Sequence, residues 1–153
     1  MEPESNRLTY RRPDEDDAGF FACLAMTDGV AQFMGDLPVP QADDGSRLFV
    51  LVQEGTPVGI AGFVRSGALE GRDMELICVV GTPWQKKGFA EEACRAILLW
   101  AFGEFGWLRV LGCVHDANAR GRALAHNLGF REIGKRFLDP EVAVLEKRRA
   151  GEQ

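Results

Sequence analysis

The segment MELICVV, residues 74–80, runs through GTPWQKKG directly into FAEEACRAILLWAFGEF. An apolar strand of this kind belongs inside a sheet, and the helix expected over 89–105 has to pack beside it. The middle of that helix, AILLWAF, is apolar nearly all round, which predicts deep burial. Gly106 is its natural stop. Between strand and helix stand Gly88 and two lysines, Lys86 and Lys87. Glycine relaxes the backbone, successive N–H groups converge, and the helix N-terminus adds partial positive charge, so the corner has the design of an anion site. Alone the signal is weak, because any strand–turn–helix junction uses glycine. The GxxxxGK[ST] and strand-led GxGxxG phosphate loops are both absent.

The rest of the chain arranges itself around this unit. RLTYRR (7–12) predicts a first strand. After Pro13, Asp14 is placed to cap a helix with an acidic, solvated first turn, and Phe20, Phe21, Leu24 and Ala25 form its apolar face. A second short helix is expected over 29–34, before GDLPVP breaks it. RLFVLVQ and VGIAGFVRSG predict two strands joined as a hairpin by EGTPVG. LRVLGCVH predicts a strand over 108–115. Asn118 caps a helix, NARGRALAHNL, that Gly129 ends. FREIGKRF, opened by Phe130, and EVAVLEKR predict the last strands, with a frayed tail after 147. No repeat or linker intervenes, so the order β-α-α-β-β-β-α-β-α-β-β reads as one mixed α/β domain over 1–153.

The net charge is −5. A general nucleic-acid binder needs a basic face, so that class is disfavoured. The longest apolar run is too short to span a membrane. Cys23, Cys78, Cys94 and Cys113 form no CxxC pair, and His115 and His126 lack zinc spacing, so no metal is expected. The opening MEPESNRLTY holds no signal-like apolar stretch. A reduced, cytoplasmic protein with scattered buried thiols is the expectation.

Gln85-x-x-Gly88-x-Ala90 resembles the Q/R-x-x-G-x-G/A motif of the GCN5-related N-acetyltransferases, the GNAT family. ELICVVGTPWQKKGFAEEA is similar to the matching segment of that family's ribosomal-protein acetyltransferases, the RimJ/RimL-like branch. NRLTYRRPDEDDAGF resembles the branch's opening strand and acidic helix. NARGRALAHNLGF resembles the family's second motif, with Asn118 eleven residues before Gly129. Three matches in the right order cover most of the chain. The resemblance implies a GNAT fold: a mixed, mostly antiparallel twisted sheet of about six or seven strands, splayed between the strands at 74–80 and 108–115, with helices on both faces. It also implies acetyl-CoA as cofactor. Amides from Gln85 through Lys86, Lys87, Gly88 and Phe89 to Ala90 would hold its diphosphate, with the two lysines either adding charge or simply facing solvent. The splayed strand end, Cys78, Val79 and Val80, would offer main-chain groups to the pantetheine arm and an amide to the thioester carbonyl. Asn118 is an N-cap by its own position, and the resemblance adds a place near the pantetheine arm.

Acetyl transfer needs a neutral amine, and aliphatic amines are mostly protonated at pH 7, so some group has to accept a proton. Glu75 is the candidate base. Related histone acetyltransferases carry a glutamate at a comparable place on this strand. The spacing to Gln85 is one residue shorter here, and it fits the RimJ/RimL-like register. An exposed strand-edge glutamate is the plain alternative. The family's usual acid is a tyrosine seven residues after the motif asparagine. That position is Ala125, and the only tyrosine is Tyr10, so the acid stays unassigned. His126 reads as a surface histidine, and Cys113 as a small buried hydrophobe. Direct attack in a ternary complex needs no thiol nucleophile.

The implied acceptor is a primary amine: a protein N-terminus, favoured by the branch resemblance, or a small amine, an antibiotic among them. A non-catalytic acyl-CoA-binding sensor or scaffold is the alternative of another class. The acceptor-facing segments would be the first two helices, the loop GDLPVPQADDG with Asp36, Asp43 and Asp44, and the last hairpin. The resemblance also points toward a homodimer.

Overall fold

One seven-stranded sheet organises the protein in the computed structural model, which describes residues 2–27, 30, 46–69 and 71–151. The strands are β1 (Thr9–Arg11), β2 (Arg47–Gln53), β3 (Thr56–Arg65), β4 (Met74–Val80), β5 (Arg109–His115), β6 (Arg131–Arg136) and β7 (Asp139–Arg148). Three helices are described: α1 (Ala18–Ala25), α2 (Phe89–Phe105) and α3 (Ala119–Asn127). Strand order is β1-β2-β3-β4-β5-β7-β6, and β4–β5 is the parallel neighbour pair. The architecture is the mixed, mostly antiparallel sheet that the resemblance implied.

Alternation along β4 divides the interior into two cores. Leu76, Cys78 and Val80 join the core under α2, with Phe89, Cys94, Ile97 and Trp100. Ile77 and Val79 point the other way, into a core with Phe21 and Leu24 of α1. Ala125 and Leu128 place α3 on the same side as α2. Helices therefore cover both faces, and β4 is the strand they share.

The bounds of β4 and α2 agree with the sequence reading, and Gly106 ends α2 in the left-handed conformation (φ 63°). The expectation of all-round burial for AILLWAF is corrected: Leu99 is 79% exposed, while Ile97, Leu98, Trp100 and Ala101 are buried. One face of this helix meets solvent because successive residues turn by about 100°. Leu99→Ala is expected to change stability by less than about 0.5 kcal/mol, whereas Ile97→Val should cost about 1 kcal/mol. Urea unfolding of both variants checks the assignment.

Other expectations need smaller corrections. The first strand is shorter than 7–12. Asp14 caps a 3-10 turn (Glu15–Asp17) that leads into α1, through a capping box with Asp17. Asp17 is not a solvated acid: it is buried and held by the Arg11 guanidinium at 2.8 and 2.9 Å. Those hydrogen bonds outweigh its burial and keep its carboxyl below the usual range. Phe130 precedes β6 and is buried. Of the four thiols, Cys94 is buried, Cys78 and Cys113 are half-buried, and Cys23 is exposed. Of the helix expected over 29–34 only Val30 is described, buried in the core with Phe21 and Leu24, and the loop with Asp36, Asp43 and Asp44 falls outside the described residues. Among the described residues no helix is long and apolar enough to cross a membrane.

Candidate active site

β4 and β5 register at a single pair, Glu75 with Leu111. β3 follows β4 through all seven residues, from Met74 to Val80, and β7 follows β5 along its whole length. Beyond Glu75 the two parallel strands therefore part, and the β5 side of Leu76–Val80 has no strand partner among the described residues. A wedge opens in the sheet, with its apex at Glu75.

The apex is clamped by charge. Arg109, the first residue of β5, donates to both oxygens of Asp73 at 2.9 and 3.0 Å and to Glu146 at 3.0 Å. Glu146 is 2% exposed and also accepts from Arg131 and Arg148, at 3.0 and 3.1 Å. Burial alone would raise its pKa, but the hydrogen bonds from Arg109, Arg131 and Arg148 hold the carboxyl below its ordinary range. The clamp fixes the closed end of the wedge and leaves the other end free to diverge.

At the open end the chain turns through a short 3-10 segment (Thr82–Trp84) and then through two left-handed residues, Lys86 (φ 63°) and Gly88 (φ 82°). This alternation aims consecutive N–H groups at a common point. The amide of Gln85 is engaged with the Thr82 carbonyl, and the first helical hydrogen bond runs from Glu92 N–H to the Gly88 carbonyl. The amides from Lys86 through Glu91 have no acceptor among the described residues. Phe89 anchors the corner by burying its ring in the core. A Cβ on Gly88 would stand 3.3 Å from Arg7 Nη2, and the positive φ there costs other residues about 1–2 kcal/mol.

Gln85 works as a brace. Its Nε2 donates to the Val80 carbonyl at 3.0 Å, and its Oε1 accepts from Arg120 of α3 at 3.1 Å. The side chain thus ties the end of β4 to the helix across the wedge mouth. Asn118 caps α3, accepting from Gly121 N–H at 3.0 Å. Lys86 and Lys87 are exposed beside the corner.

At the apex, Glu75 lies on the α1 side of the sheet, with Ile77 and Val79. Its Oε1 accepts from Ser66 Oγ at 3.0 Å and from Cys113 Sγ at 3.3 Å. Ser66 Oγ in turn accepts from Ala68 N–H at 3.1 Å. The glutamate is therefore half-buried in a defined orientation and is not a loose strand-edge charge. Burial first, then the Glu75 charge and hydrogen bond, push the Cys113 thiol up to about 12. It is a neutral donor at pH 7 and a poor nucleophile. Tyr10 lies in the core under α2, with its hydroxyl paired to Ser5 at 2.8 Å. Burial pushes it up to about 12. His126 is exposed and Ala125 buried. Sequence reasoning missed Arg7, Ser66, Arg120 and the Asp73–Arg109–Glu146 clamp, because each acts through a partner distant in the chain.

A parted parallel pair that ends in a corner of unpaired amides suits a transferase whose donor carries a phosphate handle. A family model of the acetyltransferase (GNAT) domain matches residues 7–131, and the chain belongs to that family. It is an acyl-CoA-dependent N-acetyltransferase, with acetyl-CoA as cofactor. The fold recurs in solved structures. One is described as a GnaT-family acetyltransferase from Bordetella pertussis, with TM-score 0.76, 23% identity, and 94% of this chain and 97% of that chain covered. A ribosomal-protein-S5-alanine acetyltransferase from Vibrio fischeri aligns with TM-score 0.77 and 16% identity, over 100% and 99% of the two chains. The aminoglycoside acetyltransferase AAC(6')-Ib in complex with coenzyme A aligns with TM-score 0.76 and 15% identity, over 93% and 95%. No curated protein matches the chain in sequence.

The residues present suit such a cofactor. A diphosphate needs convergent donors without a competing acceptor, which the amides after Gln85 offer around a side-chain-free Gly88. An extended arm needs an unpaired strand edge, which Leu76–Val80 offers.

Proposed function

We propose that the protein transfers acetyl from acetyl-CoA to a primary amine by direct attack in a ternary complex, as one domain over 1–153 in the cytoplasm. The observation that carries this reading is the alignment of the parted β4–β5 edge with the unpaired amides at its open end. Amides from Lys86 to Ala90 hold the diphosphate, with Gln85 bracing the corner. Main-chain groups of Cys78, Val79 and Val80 hold the pantetheine arm, and Asn118 lies beside it. Bound there, acetyl-CoA supplies an activated thioester carbonyl next to the acceptor amine.

Glu75 is the base in this reading. It sits at the apex on the face opposite α2, so an acceptor approaching from the α1 side meets it. Ser66 and Cys113 fix the carboxylate orientation. Glu75 takes the proton that the acceptor ammonium has to lose before its nitrogen can attack, directly or through water. An amide of Cys78–Val80 polarises the carbonyl under attack. With Ala125 at the usual tyrosine position, no side chain is assigned to protonate the leaving thiolate.

A protein N-terminus is the favoured acceptor, on the resemblance of 75–93 to the RimJ/RimL-like branch. Thiol release measured with N-terminal peptides and with small polyamines side by side tests it. Turnover of the small amines alone would move the assignment to a detoxifying enzyme, and no turnover despite binding would make it a sensor. For the donor site, Gly88→Ala is expected to weaken CoA by about tenfold in a calorimetric titration. Unchanged affinity would refute the corner as the phosphate site.

A further inference from the structure

We infer that Arg7, to which the family resemblance gives no site role, is part of the donor-phosphate site: its guanidinium neutralises the Glu92 carboxylate on the first turn of α2 and offers a free donor to the diphosphate. The inference rests on the donor-site reading above. Arg7 precedes β1, yet it reaches the first turn of α2. Its Nε donates to Glu92 Oε1 at 2.7 Å, its backbone N–H to Glu92 Oε2 at 2.9 Å, and its Nη1 to the Lys87 carbonyl at 2.8 Å. Its guanidinium carbon lies 4.3 Å from the centre of the Phe89 ring. Ser5 Oγ donates to Glu92 as well, at 2.6 Å.

This arrangement answers an electrostatic conflict. Glu91 and Glu92 stabilise the N-terminus of α2, but a carboxylate there repels an anionic ligand on the same helix end. Glu91 has Arg95 as its partner, one turn on. Glu92 has Arg7, which cancels its charge and also holds the Lys87 carbonyl. Nη2 remains. It has no acceptor among the described residues, and it lies 3.3 Å from where a Cβ on Gly88 would stand. The side chain is 45% exposed.

Calorimetry with CoA and dephospho-CoA, at low and high salt, tests this on wild type, Arg7→Gln and Glu92→Gln. Arg7→Gln is expected to bind both ligands at least about tenfold more weakly, with a shallower salt dependence. Glu92→Gln loosens the same strap but keeps the guanidinium, and its affinity is expected within about threefold of wild type. Equal losses in the two variants, or an unchanged salt dependence in Arg7→Gln, would reduce Arg7 to a strap and overturn the inference. A loss confined to CoA would overturn the diphosphate assignment, because only the ribose phosphate differs. If wild type bound neither ligand, the donor-site reading itself would fail. Wild-type binding with an unaffected Arg7→Gln would sink only the role of Arg7.

Discussion

Glu75→Gln is expected to lower kcat/KM by about 10²–10⁴-fold with an amine acceptor, leaving CoA affinity and thermal stability near wild type. The substitution keeps an oxygen that accepts from Ser66 Oγ and Cys113 Sγ, so the apex packing persists and only the basic site is removed. The readout that separates a base from a positioning group is the conservative variant. Glu75→Asp keeps a carboxylate and should recover part of the rate, whereas Glu75→Gln should not. A Glu75→Gln variant with full rate would take Glu75 out of the mechanism. Equal, partial losses in the two variants would make it a positioning residue.

The second large effect concerns stability. Glu146→Ala leaves Arg109, Arg131 and Arg148 around a buried void and is expected to cost about 3 kcal/mol in urea unfolding. The upper part of the usual range is not expected, because Arg131 and Arg148 can reach water. The same carboxylate makes stability depend on pH. Its pKa in the folded protein is depressed, so its contribution is fully present above the unfolded carboxylate range, near about pH 4.3, and is lost as pH falls through the lower folded value. Wild type should therefore lose stability on acidification more steeply than Glu146→Ala. Parallel curves for the two proteins would show that the arginine clamp contributes little.

Much of the site can be read in the chain because its signals are local. The bounds of β4 and α2 follow from an uninterrupted apolar run, an intervening corner and the stop at Gly106. Asn118 is legible as a cap because capping needs only its neighbours two or three residues on. The same locality explains the misreading of AILLWAF. A window of apolar residues reports composition, and the face a residue turns to is set by what packs on the helix, which left Leu99 in solvent. Asp17 was read as solvated for a similar reason: its partner Arg11 belongs to another element. Glu75 was identified as a candidate, but neither Ser66 nor Cys113 carries a mark in sequence that would pair it with that carboxylate.

By itself the sequence determined the order of the described elements, the glycine-bearing corner between β4 and α2 and the family to which these motifs belong. These rest on backbone preferences and short spacings, which act over a few residues. Only the tertiary structure decided that the splay between β4 and β5, which the resemblance implied, begins after Glu75, that Arg109 clamps the apex, and that Arg7 meets Glu92 across 85 residues of chain. Charges and strand edges find partners in three dimensions, and the free energy of those pairings is set by burial and distance, neither of which is written in the order of residues.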